Sequence, residues 1–290
     1  MNSPPPPSHL ILNKEAFRKK VERLHNLPTL PQLMKKFTKM AEDTSTSIAS
    51  FGEEICKDQV LTSKLLRLVN SAFYGFPGRI STVTHALILL GIDAIKGLIV
   101  TTSVFDNLTP EAYPLWRHSI LVSLACRKIC EMLSIADIEE ITVAGLLHDI
   151  GKVVIILEAP DEYHQVLKHA SQTKTPLWKT EHELLGFDHA ALGKWLCQQW
   201  KLPDKLSLPI GYHHEPEKAV SYPLRSSIIT ISNLIVNGMG ESLVKGIPLE
   251  NIPECVAGQL SLQEHHLEKL VERIEPEMEA LKDMGPLDLK

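Results

Sequence analysis

Apolar residues recur at helical spacing along almost the whole chain, and almost no stretch alternates with the period of two that a half-buried strand requires. Phe17, Val21 and Leu24 predict a helix over residues 13–26 with Asn13 as its N-cap. The prolines of Leu27-Pro28-Thr29-Leu30-Pro31 forbid its continuation, and Pro31 opens the next helix, which runs to about Glu42. Ser47 caps a helix carrying Ile48, Phe51 and Ile55, and residues 61–73 form another with Leu65, Leu66, Leu68 and Val69, closed by the turn Gly75-Phe76-Pro77-Gly78. Ser81 caps a short helix to Leu90, followed by one from Ile92 to about Asp106. Residues 86–105 are about long enough and apolar enough to cross a bilayer, but Gly91, Asp93, Lys96 and Gly97 interrupt them, which favours two core helices joined near Gly91.

After Pro110 a helix carries Trp116-Arg117-His118-Ser119 and continues through Leu124 to Leu133. The run 141–157 is apolar on nearly every side and reads as a single buried helix. Shorter helices are expected over 163–169 and 178–185, then one capped by Asp188 and stopped by Leu202-Pro203. A helix from about Asp204 ends at His213-His214-Glu215-Pro216, because the residue before a proline is pushed out of the helical region. Another lies around 228–236, ahead of Gly238 and Gly240. Finally Ser261-Leu262-Gln263-Glu264 reads as a capping box for a helix with the stripe Leu267, Leu270, Val271 and Ile274.

The chain has 290 residues, 44% hydrophobic and 22% charged, enough for one large core or two small ones. A net charge of -5 removes the usual electrostatic reason to expect nucleic acid as a ligand; the cluster Lys14, Arg18, Lys19, Lys20 and Arg23 reads as a solvated helix face. The five cysteines are odd in number and lack Cys-x-x-Cys spacing, so neither a disulfide framework nor a zinc ribbon is indicated, and Cys126 and Cys130 read as small buried hydrophobes. The chain opens on Pro4 to Pro7 rather than a charged-then-apolar leader, and the expectation is a Pro-rich disordered tail on a cytoplasmic protein without a membrane partner.

One polar group conflicts with the apolar run 141–157. Asp149, ionised and unpaired there, would cost roughly several kcal/mol, so it must meet a cation, hydrogen-bond donors or a metal. At about 100° per residue, His148 and Asp149 flank one wedge of helix surface and Lys152 points between them.

His148-Asp149-Ile150-Gly151-Lys152 resembles the signature of the HD superfamily, α-helical proteins in which an adjacent His and Asp hold a divalent metal that hydrolyses phosphoesters. A longer series is more specific. Leu27-Pro28-Thr29-Leu30-Pro31, Lys57-Asp58, Leu65-Leu66-Arg67-Leu68-Val69-Asn70-Ser71-Ala72-Phe73-Tyr74, His85-Ala86 and Leu90-Gly91 resemble, in order, the motifs of the HDOD family, HD-related output domains of bacterial signalling proteins. The fold expected is all-α, an HD-domain-like helical bundle preceded by an N-terminal helical subdomain. The expected division is a tail over 1–12, the N-terminal subdomain over 13–109, the HD-like subdomain over 110–240 and a C-terminal extension over 241–290.

The resemblance implies a set of metal ligands: His118, His148, Asp149, His189, and at least one of His213 and His214, with Asp149 bridging two divalent ions. Imidazole and carboxylate suit iron, manganese, zinc or cobalt. Each histidine alone also has a bland explanation: a bond to a carbonyl for His118, a place in a first helical turn for His189, and the negative end of a helix for His213 and His214. His85 reads as a partly buried helix residue, and Asn70-Ser71-Ala72-Phe73 as a helix end with a packed aromatic. Two departures stand out. Asn233 occupies the place of the late Asp ligand of HD proteins, a weaker and uncharged ligand. The Asp-Gly-x-Gly-Tyr-Pro of the HD-GYP branch is absent after His213-His214-Glu215, Tyr222-Pro223 does not restore it, and Pro114 stands where that branch has a Glu, which argues against a cyclic di-GMP phosphodiesterase.

Two functions follow from the resemblance. One is a metal-dependent phosphohydrolase acting on a phosphoester or nucleotide, with Asp149 and Lys152 as its catalytic groups. The other is a catalytically inactive output module that docks a signalling protein. Nucleic-acid binding through the N-terminal helices is a remote third.

Overall fold

The computed structural model describes residues 30–43, 45–70, 79–105, 112–241 and 251–281. The helix expected over 13–26 with its basic cluster, the Pro-rich start, Phe73 and the turn Gly75-Phe76-Pro77-Gly78 lie outside these. Among the described residues every regular element is a helix, as the apolar spacing predicts.

Several helix starts follow side chains that take up otherwise free N–H groups. After α1 (Leu30–Glu42), α2 (Ile48–Cys56) opens at Ser47, whose side chain accepts from Ser50 N at 3.1 Å. Asp58 accepts from Leu61 N at the start of α3 (Gln59–Asn70). The described part of that helix reaches Asn70, and the expected end at Phe73 lies outside the described residues; the Asn70 side chain spans to Ile80, accepting its N–H (2.9 Å) and donating to its carbonyl (2.6 Å).

The cap of α4 (Val83–Leu90) is Thr82, not Ser81: Thr82 is the last extended residue, and its side chain accepts from His85 N. His85 is exposed rather than partly buried, since Val83, Ala86, Leu87 and Leu90 take the inward face. Between α4 and α5 (Ile92–Phe105) the chain bends by 120° at Gly91 (φ 80°, ψ 161°), so the apolar window is two helices as expected. No single helix among the described residues is long and apolar enough to cross a membrane.

The rest packs as a bundle of α6 (Tyr113–Met132), α7 (Ile138–Leu147), α8 (Ile150–Glu158), α9 (Pro160–Thr173), α10 (Leu177–Leu185), α11 (His189–Gln199), α12 (Asp204–Gly211) and α13 (Pro223–Gly238), closed by α14 (Glu254–Leu260) and α15 (Glu264–Leu281). Ser261 does not open α15, which begins at Glu264. Ser261 instead ends α14 in the left-handed region (φ 49°), and the Gln263 N–H donates to His266 Nδ1.

Helix α7 lies between α6 on one side and α5 on the other. Both approaches are close because a glycine faces the neighbour: a Cβ on Gly145 would fall 2.7 Å from Cys126 Sγ, and one on Gly97 2.2 Å from Val143 Cγ1. Lys205 on α12 adds a polar tie, reaching Asp93 on α5 (2.9 Å) and Glu140 on α7 (2.7 Å). The apolar core is therefore continuous from the first helices to the last, and Cys126 and Cys130 are buried in it as small hydrophobes.

Gly91 sits in a backbone region open essentially to glycine alone, with open space where a Cβ would point. Gly91→Ala is expected to lower unfolding free energy by about 1–3 kcal/mol through backbone strain, read from the urea midpoint at unchanged slope.

Candidate metal centre

The run 141–157 is two helices rather than one. His148 and Asp149 form the break between α7 and α8. His148 Nδ1 donates to the Gly145 carbonyl (2.7 Å), the acceptor that the next helical N–H would otherwise use, and the chain resumes with a tight bond from Lys152 N to Asp149 O. A side chain competing for a backbone carbonyl thus breaks a segment whose apolar content alone would sustain a helix.

The expected convergence survives the break. Asp149 is fully buried, and its two oxygens face different partners. Oδ2 lies 3.3 Å from His148 Nε2, 3.5 Å from His118 Nε2 on α6 and 2.7 Å from Lys152 Nζ. Oδ1 lies 3.2 Å from His189 Nε2, at the start of α11, and 3.9 Å from His213 Nε2, just past α12. His214 Nε2 stands 2.9 Å from His189 Nε2, and the half-buried ring of Trp178 stacks on His214 at 5.5 Å. Two groups result, His118-His148-Asp149 and His189-His213-His214, in each of which the ligand atoms lie within 4.8 Å of one another.

The outer ring nitrogens explain this orientation. Nδ1 of His118 donates to the Glu241 carbonyl (2.6 Å), that of His148 to Gly145 and that of His213 to Ile210 (2.7 Å). The bland bonds expected of lone histidines are therefore present. Their effect is to turn each Nε2 inward, as metal-ligating histidines require. For His189 the partner is the fully buried Glu181 on α10: Oε2 accepts from both His189 Nδ1 (2.5 Å) and His189 N (2.8 Å), and Oε1 accepts from Tyr163 OH (2.8 Å). Sequence reasoning missed Glu181. The signal lay in its sharing a helix face with Leu177, Leu184 and Leu185, where a carboxylate needs a reason to be buried.

The arrangement demands positive charge. A carbonyl only accepts, so His118 and His148 both carry hydrogen on Nδ1, and their Nε2 lone pairs, 3.3 Å apart, need a proton or a metal ion between them. Burial pushes the His118 pKa down to about 3 despite Asp149, and burial together with His148 and His189 pushes that of His213 well down. At His189 burial opposes charge, but Glu181 and Asp149 outweigh it and hold the pKa at about 9. Burial likewise opposes ionisation of Asp149, yet His148, Lys152 and His189 hold its carboxyl well below the usual range. Asp149 Oδ1 and His213 Nε2 are buried with no hydrogen-bond partner among the described residues. Two orphaned lone pairs in an N/O donor set fit a divalent cation.

The HDOD domain profile matches residues 27–216. This chain belongs to the HDOD family. It is similar in fold to an HDOD domain protein of Geobacter sulfurreducens (23% identity, 91% of this chain and 99% of that one, TM-score 0.66). It is similar also to a candidate phosphohydrolase of Shewanella amazonensis SB2B (21% identity, 89% and 93%, TM-score 0.63). A Treponema pallidum (strain Nichols) protein is 23% identical over 266 residues, and this chain spans 51% of that relative's length.

Within this HDOD chain, the glycine of His148-Asp149-Ile150-Gly151-Lys152 has a steric reason. A Cβ on Gly151 would fall 2.0 Å from the His189 carbonyl oxygen, so α8 reaches the start of α11 only with glycine there. Asn233 is buried on α13, where its Oδ1 accepts from Asn237 Nδ2 (3.0 Å); it makes no hydrogen bond to the histidine groups. Gly151→Ala is expected to push His189 away from Asp149, costing about 1–3 kcal/mol of stability as an overpacked site does. Urea unfolding and Mn²⁺ calorimetry on the same samples check it: metal uptake should weaken even where the chain stays folded.

Proposed function

We propose that this HDOD protein is a signalling output protein whose HD-type site holds two divalent ions and hydrolyses a phosphoester or nucleotide. The observation that carries the reading is the division of one buried carboxylate between two imidazole groups, Oδ2 toward His118 and His148 and Oδ1 toward His189 and His213. His118, His148 and Asp149 would hold one ion, and His189, His213, His214 and Asp149 the other, from among iron, manganese, zinc and cobalt. Ions bound there supply polarisation of a phosphoryl oxygen and a water of lowered pKa.

The chain's own residues set the rest. Carbonyls and Glu181 fix His118, His148, His213 and His189 before any ligand arrives, so little reorganisation is left for binding. Lys152, 8% exposed and bonded to Asp149, places an ammonium where charge on a phosphate can be neutralised. Asn233 would be a weak ligand, its oxygen shared with Asn237 or reached through water.

A second reading, an inactive module that docks a signalling partner, is favoured by one observation: the expected carboxylate at 233 is an amide already bonded within its own helix. Binding tolerates that loss better than turnover does.

Metal analysis of the purified chain, followed by assay on a generic phosphodiester and a nucleotide panel, tests both. Metal-loaded protein should turn over at least one substrate, and Asp149→Ala should abolish both turnover and metal while remaining folded. Each ion at about 100 times its dissociation constant should add roughly 2.7 kcal/mol to unfolding free energy in the native sequence and nothing in Asp149→Ala. Bound metal without turnover on any substrate supports the docking module, and no metal uptake refutes the site. Asn233→Asp is expected to tighten metal binding, seen as a lower dissociation constant by calorimetry.

A further inference from the structure

The two sides of Asp149 are not electrically alike. On the Oδ1 side, His189 has a carboxylate behind it: Glu181, fully buried, accepts from its ring and its backbone N–H. Behind His118, His148 and His213 stand only neutral carbonyls. On the Oδ2 side the Lys152 ammonium lies 2.7 Å from the oxygen a cation would share. A buried anion therefore backs one position while a nearly buried cation crowds the other, in surroundings where charge is poorly screened.

We propose that Glu181 is a positioning residue that makes the His189-His213-His214 side the high-affinity cation position, with Tyr163 fixing Glu181, and that Lys152 makes the His118-His148 side the low-affinity one. The two positions then fill in order. The inference rests on the metal-site reading above and adds which position fills first and which residues set the order. Glu181 acts through geometry as well as charge. By accepting from Nδ1 it keeps His189 Nε2 facing Oδ1, 3.2 Å away, and the Tyr163 hydroxyl holds the far carboxylate oxygen so that the group cannot rotate away.

Mn²⁺ is titrated by calorimetry into the metal-stripped full chain, with circular-dichroism melting of each metal-free variant alongside. The native sequence should show two classes of site. Glu181→Gln should weaken the tighter class by roughly 10–100-fold and leave the weaker one unchanged. Lys152→Met should tighten the weaker class and spare the tighter. If Glu181→Gln does not melt cooperatively, Tyr163→Phe decides, since it removes one hydroxyl at nearly constant volume and should weaken the same class to a lesser degree. A role of Glu181 confined to folding would lower the melting temperature and leave the tight class intact, which overturns the inference. So do two equivalent sites, or equal weakening of both. If a single ion binds, its weakening by Glu181→Gln supports the assignment and its indifference overturns it. A native chain that takes up no ion overturns the metal-site reading itself, and this inference with it.

Discussion

A carboxylate buried without solvent has to be compensated, and most of the second half of this protein can be understood from how Asp149 is. Lys152 supplies one counter-charge from the next turn. It does not suffice, because a carboxylate offers about four lone-pair directions and one ammonium fills a single edge of it. The remaining directions are met by imidazoles from helices distant in sequence. None of those imidazoles is held by Asp149 itself: each has its other nitrogen bonded to a carbonyl or to Glu181. The scaffold, rather than the acid, therefore fixes the geometry, and the lone pairs that remain are directed at one another across spaces that only a cation can occupy comfortably.

Apart from His118, within α6, the candidate ligands sit at helix ends and junctions, and this has a cause. His148 and Asp149 fall between α7 and α8, His189 begins α11, and His213 and His214 follow α12. Helix ends carry free carbonyls and N–H groups, which are the partners that orient a histidine ring. Bringing those ends together needs backbones closer than side chains permit, and glycine meets the need at Gly145 between α7 and α6 and at Gly151 between α8 and α11. The same device at Gly97 seats α5 of the first half on α7. Helices carrying ligands thus pack directly on the N-terminal helices, and Lys205 ties α12 to α5 at the polar margin.

Much of this was legible in the sequence, and the misses share a physical origin. Apolar spacing located the helices, and caps such as Ser47 and Asp188 could be read because their side chains act on N–H groups two or three residues away. Ser81 stands in for the true cap Thr82 because adjacent hydroxyls offer the same chemistry, and Ser261 reads as a helix start although its left-handed backbone makes it the end of the helix before. The break at His148-Asp149 was invisible because hydropathy records what a side chain dislikes, not which carbonyl it bonds. Glu181 was passed over because a single carboxylate in a mixed helix looks solvated until its three-dimensional neighbours are known. The order of the histidines along the chain came from the family resemblance. Spacing alone leaves them with dull alternatives, and for His118 and His213 those alternatives are the outer bonds of the same rings.

Holding a cation and turning over a phosphoester place different demands on such a site. Holding requires lone pairs fixed at the right separation, and five imidazoles with one shared acid provide them. Turnover further requires that negative charge balance the ions, so that they are neither overbound by substrate nor left too electrophilic to release product, and that a cation meet the charge developing on phosphate. Lys152 can answer the second demand only by leaving Oδ2, and doing so becomes easier once another cation takes its place there. The amide of Asn233, expected in the place of a carboxylate, is instead bonded to Asn237 within its own helix. The imidazole geometry therefore speaks to binding rather than to turnover.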